Sequence, residues 1–219
     1  MSLRRRFGNW LPAAGQHLLK RLYYAWRIRT GTFRSAEPEY QLIRTLLREG
    51  DHVLDVGANV GHYTLAFSLL VGACGRVFAL EPFPDTFSLL AANVRLFPFE
   101  NVTLFNLAAS DASRLVPMVV PTSDGSPDYY TARISKEGQG KTIFSCALDG
   151  LDLPEGIRLV KIDVEGHELS VLRGMTNLLT RDHPHLIVEA SSNRVAEFLA
   201  QFGYVARRLP GSPNFVFTP

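Results

Sequence analysis

Between an apolar run that ends at Val56 and a stretch of helical spacing that begins near Tyr63, the chain reads Asp55-Val56-Gly57-Ala58-Asn59-Val60-Gly61. Gly57 and Gly61 let the backbone turn tightly there and aim N–H groups at a small anionic group at the start of a helix. The G-x-G-x-x-G spacing that suits a dinucleotide pyrophosphate is broken, because Asn59 holds the second glycine position. The loop itself contains no G-K-S or G-K-T, which excludes a P-loop nucleotide site at this position. Glu81, in Leu80-Glu81-Pro82, ends the next apolar run about 20 residues beyond the loop, where an acid accepts hydrogen bonds from both hydroxyls of a ribose. A glycine loop unsuited to pyrophosphate, followed by a ribose-binding acid, describes a nucleoside ligand without phosphates. S-adenosylmethionine fits: its diol suits Glu81, its carboxylate the loop amides, and its ammonium and sulfonium the acids Asp55 and Asp163.

A second cluster lies in Val160-Lys161-Ile162-Asp163-Val164-Glu165-Gly166-His167-Glu168. Strand alternation predicts Lys161, Asp163 and Glu165 on one side, with His167 and Glu168 opening the next helix. Methyl transfer is an in-line displacement at carbon, so the main task is to hold an acceptor oxygen at attack distance. A base within reach of that oxygen adds on the order of 10²- to 10⁴-fold. His167 is the preferred base, since an imidazole titrates near pH ~6.5, with Glu165 orienting it or the acceptor. The bland alternative for His167 is a helix-opening residue bonded to a nearby carboxylate. Asp163, Glu165 and His167 also offer oxygen and nitrogen ligands for a divalent ion such as Mg²⁺. Nothing fixes a ligand set, so no metal site is assigned and Mg²⁺ stays a lesser alternative. Glu189 ends the following apolar run in an equivalent position, whereas His52 and His62 read as loop or surface residues.

The elements that must position these residues alternate in period. Short apolar runs at His52 to Val56, Arg76 to Leu80, Val102 to Leu107, Arg158 to Ile162 and His185 to Glu189 read as strands. Helical spacing falls between them, from about Tyr63 to Leu70 and Pro84 to Leu96. That alternation predicts an α/β fold with parallel strands, whose ligands sit at the carboxyl ends of the strands. Residues 113–147, rich in Pro and Gly, interrupt it and read as an inserted hairpin or flap beside the ligand crevice. Tyr204 to Leu209 and Asn214 to Phe217 flank a Pro-Gly-Ser-Pro turn and predict a terminal antiparallel hairpin.

Of the 219 residues 46% are hydrophobic and 20% charged, an ordinary globular composition. The net charge of +2 conceals a polarity. Met1 to Ala36 carry eight of the 23 Lys and Arg and no Asp or Glu, leaving 15 basic against 21 acidic residues beyond. Residues 1–36 therefore read as a basic arm, helical from Leu11 to Ile28, with Leu11, Ala14, Leu18, Leu22, Ala25 and Trp26 in one apolar stripe that Arg29 interrupts. Such a helix caps its own domain, contacts a partner or an anionic membrane surface, or, as the least favoured alternative, binds nucleic acid. Residues 37–219 read as one domain. Two cysteines are too few for a disulfide framework, and no stretch is long and apolar enough to span a bilayer, so a cytoplasmic setting is expected, with membrane association through the arm as an option.

Asp55 to Thr64, Leu80-Glu81-Pro82, Asn93, Asn101-Val102, Ala108 to Asp111 and above all Lys161 to Glu168 resemble the FkbM-type S-adenosylmethionine-dependent methyltransferases. The likeness covers roughly residues 51–190 and leaves the arm outside. It implies a Rossmann-like, seven-stranded class I methyltransferase sheet, with Gly57, Asn59 and Gly61 around the methionine end of the donor and Glu81 on the ribose. By the same likeness Asn106, Leu107 and Ala108 border the adenine. It implies methyl transfer to a hydroxyl of a sugar, glycan or natural product, without naming the acceptor. Methylation of RNA or protein, and a non-catalytic nucleoside-binding module, are the alternatives. The acidic body and the absence of an aromatic-lined basic channel argue against nucleic acid.

Overall fold

The computed structural model describes residues 12–123, 126–127, 131–135, 138–189 and 193–219. Arg4 to Arg6 and Leu11 of the expected arm lie outside the described residues. The chain begins with helices α1 (Ala13–Arg29) and α2 (Glu39–Leu46). It then alternates as β1 (His52–Val56), α3 (His62–Val71), β2 (Arg76–Leu80), α4 (Pro84–Val94) and β3 (Val102–Phe105). An excursion follows, made of β4 (Ala108–Ala109), β5 (Arg114–Val119), β6 (Thr122–Ser123), β7 (Ser126–Pro127), β8 (Arg133–Ile134) and β9 (Lys141–Cys146). The chain returns through β10 (Ile157–Ile162), α5 (Glu168–Arg173), α6 (Thr176–Asp182) and β11 (His185–Glu189). It closes with α7 (Asn193–Ala200), β12 (Val205–Arg208) and β13 (Asn214–Thr218).

The main sheet has seven strands in the order β12-β13-β11-β10-β1-β2-β3. β3, β2, β1, β10 and β11 run parallel, and β13 enters antiparallel between β11 and β12. The expected alternation and the terminal hairpin are both present, the hairpin with its last strand innermost. The parallel strands are buried on both faces, which is why they read as continuous apolar runs. Their two parities face different cores: Leu54, Val56, Phe78, Leu80, Val160 and Ile162 on one side, Val53, Val77, Leu159 and Ile187 on the other. Asp55 and Lys161 share the second parity and are direct cross-strand partners. The order changes direction at β1, between β2 and β10, so a crevice opens beyond their carboxyl ends.

The interruption at 113–147 is more regular than a flap. β4, β9, β5 and β8 make a second sheet of four strands, in which Ala108 and Ala109 pair with Ser145 and Cys146. Phe83, Ala108, Val116, Met118 and Ile143 form its own small core. On the other side of the crevice α1 packs along α4, with Tyr24 and Ile28 against Phe33, Val60 and Leu89.

Asn101 ties the end of α3 to the start of β3. Its Nδ2 donates to the carbonyls of Ser68 (2.9 Å) and Gly72 (2.7 Å), and its Oδ1 accepts from Ser68 Oγ (2.6 Å), all of it buried. Each buried group left unpaired costs about 1–3 kcal/mol. Asn101→Ala is expected to lower unfolding free energy by roughly 3 kcal/mol in urea titration; a loss below about 1 kcal/mol would show that water replaces all three bonds.

Candidate active site

The crevice is a cavity of about 290 Å³ at the carboxyl ends of β1, β2 and β10, with one wall from β5 and β8 and another from Ser35 and Glu37. The loop after β1 is its floor. Gly57 (φ 83°) has no room for a side chain, since a Cβ there would stand 1.9 Å from the carbonyl oxygen of Asp163. Asn59, where a pyrophosphate loop has glycine, also adopts a left-handed backbone (φ 50°), and its Oδ1 accepts the Val60 N–H at 2.8 Å. Asparagine tolerates this conformation by such local bonding, so the backbone turns as a glycine would. Gly61 (φ 98°) starts α3 and packs on Leu90 rather than forming part of the cavity wall.

Glu81 faces this loop. Its Oε2 accepts the Asn59 N–H at 3.0 Å and its Oε1 the Phe83 N–H at 2.9 Å, which fixes the carboxylate and leaves each oxygen a further lone pair. Burial pushes its pKa up to about 7, with those two N–H bonds opposing the rise. Asn106 is not in the cavity wall. Its Nδ2 donates to the carbonyls of Glu81 (2.8 Å) and Pro82 (3.1 Å), so it braces the turn that carries Glu81, while Leu107 and Ala108 do line the cavity.

The charged floor is built on the second sheet parity. Asp55 is fully buried; its Oδ2 accepts from Thr64 Oγ1 at 2.6 Å and its Oδ1 has no partner. Lys161, also buried, donates to Asp163 Oδ2 at 2.8 Å and lies over the Tyr63 ring, 4.6 Å from its centroid. Burial alone would lower the Lys161 pKa, but the Asp163 and Asp55 carboxylates outweigh it and the amine stays charged. Burial raises Asp55, against the pull of Lys161, whereas for Asp163 burial is opposed by Lys161 and by a hydrogen bond from Glu189, which together hold it below its usual range. Alternation ends at Ile162: Glu165 reaches the same corner through a left-handed turn (φ 52°), not as a strand residue. There Asp163, Glu165 and Glu189 bring ligand atoms within 4.8 Å of one another, and Glu189 takes the place the sequence reading gave His167 in a possible ion site. Burial and the neighbouring acids Asp163 and Glu165 push Glu189 up to about 7.

His167 lines the cavity at the N-cap of α5, and its Nε2 lies 2.9 Å from Ser110 Oγ, a partner no local pattern announces. Ser110 Oγ also donates to Asp111 Oδ1 (3.2 Å), an arrangement that suits the His167 tautomer protonated at Nε2, with the lone pair on Nδ1. Burial lowers the His167 pKa, with Asp111 opposing, and the ring is neutral at pH 7. Both ends of α5 rest on the same segment, for a Cβ on Gly174 would stand 1.9 Å from the Ser110 carbonyl oxygen. His62 corrects the sequence reading. It opens α3, lines the cavity and stacks on Phe33 with centroids 4.2 Å apart, and burial lowers its pKa to about 4. Its burial depends on Phe33, remote in sequence, which is why local pattern placed it on the surface.

Among the described residues, the cavity has six carboxylates (Glu37, Asp55, Glu81, Asp163, Glu165, Glu189) against the cations Lys161 and Arg133. Such a lining opposes phosphates and favours a cationic, hydroxyl-bearing ligand.

Residues 55–211 match the family described as the methyltransferase FkbM domain. The hexuronic acid methyltransferase AglP of Haloferax volcanii is 36% identical over 162 residues, 70% of this chain and 61% of AglP, so the chain spans less than two thirds of that relative. A FkbM methyltransferase structure from Methylobacillus flagellatus KT superposes with a TM-score of 0.58 at 17% identity, over 80% of this chain and 45% of that one. Fibrillarin of Aeropyrum pernix, solved with S-adenosyl-L-methionine bound, superposes with a TM-score of 0.52 at 17% identity over 83% and 73% of the two chains. The two structures share the Rossmann-like fold with this chain.

The raised pKa of Glu81 fixes a pH dependence. Below pH 4.5, its ordinary value, folded and unfolded chains both hold the proton; between there and about 7 only the folded chain does, so stability falls as pH rises through that window. Glu81→Gln is expected to flatten the decline of Tm from pH 4.5 to about 7 in ligand-free protein. Parallel profiles for the two proteins would show that Glu81 titrates normally.

Proposed function

The chain belongs to the FkbM methyltransferase family, and from that premise we propose that it transfers a methyl group from S-adenosylmethionine to a hydroxyl of a sugar or glycan. A uronic acid is the acceptor class that the likeness to AglP favours. The observation that carries this reading is the Glu81 carboxylate, fixed by two backbone N–H bonds in a cavity dominated by acids; the N–H groups of residues 57–61, expected to meet the donor carboxylate, are instead bonded within the protein.

The residues present fit the donor. Glu81 would take the two ribose hydroxyls on its remaining lone pairs, and Leu107 and Ala108 would border the adenine. The unpartnered Asp55 Oδ1 and the Asp163 carboxylate suit the ammonium and sulfonium charges. When bound, S-adenosylmethionine supplies a methyl group made electrophilic by its sulfonium. His167 Nδ1 takes the proton of the acceptor hydroxyl, and Ser110 with Asp111 holds the ring in the required tautomer. His62, at a pKa of about 4, is too weak a base for that role. Glu165 and Glu189 border the acceptor side. The two free cysteines and the donor's nature are in keeping with a cytoplasmic setting.

Calorimetry with S-adenosylmethionine, followed by mass spectrometry of candidate uronic acids and glycans for the gain of one methylene, tests the reading. Glu81→Ala is expected to abolish donor binding. His167→Ala is expected to retain it while kcat falls on the order of 10²- to 10⁴-fold. A folded wild-type protein that ignores the donor at millimolar concentration would overturn the function, and an unchanged kcat in His167→Ala would overturn the base.

No metal step is proposed. The ammonium of Lys161 already occupies Asp163 Oδ2, and Glu189 is close to half protonated near pH 7. Turnover is therefore expected to survive EDTA; activity lost in EDTA and restored by Mg²⁺ would assign the carboxylate triad to an ion instead.

A further inference from the structure

The outward side of α1 is apolar and open to water. Leu18, Leu22 and Trp26, four residues apart, are 56%, 59% and 56% exposed, with Leu19 (50%) and Tyr23 (38%) on the adjoining row. The helix meets the body through another edge, that of Tyr24 and Ile28, and among the described residues its longest apolar stripe is left exposed. Exposed Lys20 and Arg21 border this stripe, exposed Arg29 interrupts it at its carboxyl end, and Arg27 lies over the Tyr23 ring at 5.9 Å. No acid occurs anywhere in residues 1–36.

We propose that this face of α1 docks on an anionic lipid surface. The helix would lie in the interface plane, with Leu18, Leu22 and Trp26 among the upper acyl chains and the bordering Lys and Arg at the lipid phosphates. Charge selects this occupant over a second copy of the chain. An arm-to-arm contact about a twofold would bring this cationic segment of one copy against that of the other, with no carboxylate on either to offset the charge. Docking is peripheral, since no helix among the described residues is long and apolar enough to cross a membrane. The helix is also coupled to the cavity: Phe33, just beyond it, stacks on His62, and Ser35 and Glu37 form one cavity wall. A docked α1 therefore holds that wall near the lipid surface. The proposal stands independently of methyl transfer, because it rests on a surface outside the cavity.

The test is flotation of the full chain with vesicles of phosphatidylcholine alone or mixed with phosphatidylglycerol, together with Trp fluorescence in a Trp10→Phe background so that Trp26 reports alone. The wild type is expected to float with the anionic vesicles only, to be released by salt, and to show a blue shift. The variant Leu18→Glu/Leu22→Glu/Trp26→Glu is expected to remain in solution with an unchanged far-UV circular dichroism spectrum. Should that variant fail to fold, Arg21→Gln/Arg29→Gln, which keeps the stripe intact, is expected to weaken binding roughly 30-fold. Absence of flotation by the wild type, equal flotation with neutral vesicles, or a dimer in light scattering that the triple-Glu variant dissolves would each overturn the proposal.

Discussion

The crevice exists because Gly57 lies directly on the carbonyl of Asp163, an approach that leaves no space for a methyl group. Around that contact the exits of three strands are joined. Asp163 N–H donates to Val56 O at 3.0 Å, and the N–H groups of Gly57 and Ala58 converge on Leu80 O at 3.0 and 2.9 Å. Once those bonds are made, the next N–H along the loop, that of Asn59, reaches Glu81. The donor loop, the ribose acid and the acidic corner after β10 are thus positioned by one packing constraint rather than by three separate ones. A side chain at position 57 would push β1 and β10 apart and disperse all three.

Electrostatics is the second layer. Burying carboxylates is unfavourable unless something pairs with them. Lys161 does so for Asp163 and, at longer range, for Asp55, and the aromatic face of Tyr63 completes its surroundings. Tyr63 in turn donates to Glu37 Oε2 at 2.5 Å, which links the α3 side of the floor to the segment after α1. One lysine among this many acids leaves Asp55 Oδ1 without a partner and Glu81 and Glu189 with raised pKa values. The cavity lining is therefore dominated by acid, and it suits a cation where an anion would aggravate it.

Much of this architecture was legible in the chain. Parallel strands buried on both faces produce unbroken apolar runs, so β1, β2, β10 and β11 fell within a residue of their expected bounds. The loop and Glu81 were legible because their chemistry depends on spacing along one βαβ unit. What stayed hidden depends on contacts between distant segments. Asn106 looked like a wall residue until its amide proved to hold the Glu81 turn. His62 looked peripheral because Phe33, which covers it, comes before β1. The apolar stripe of α1 suggested its packing face, yet the body presents Phe33, Val60 and Leu89 to the neighbouring edge instead. Helical periodicity says which residues share a side, not which side meets the body.

The second sheet leaves the main fold at Ala109 and rejoins it at Cys146, two residues paired side by side in register, with the Ser110 N–H closing the clasp on Cys146 O at 2.9 Å. The intervening segment is consequently a cassette with adjoining ends. Its hairpin tips can change in length without altering that joint, while Ser110, just inside the clasp, stays tied to His167.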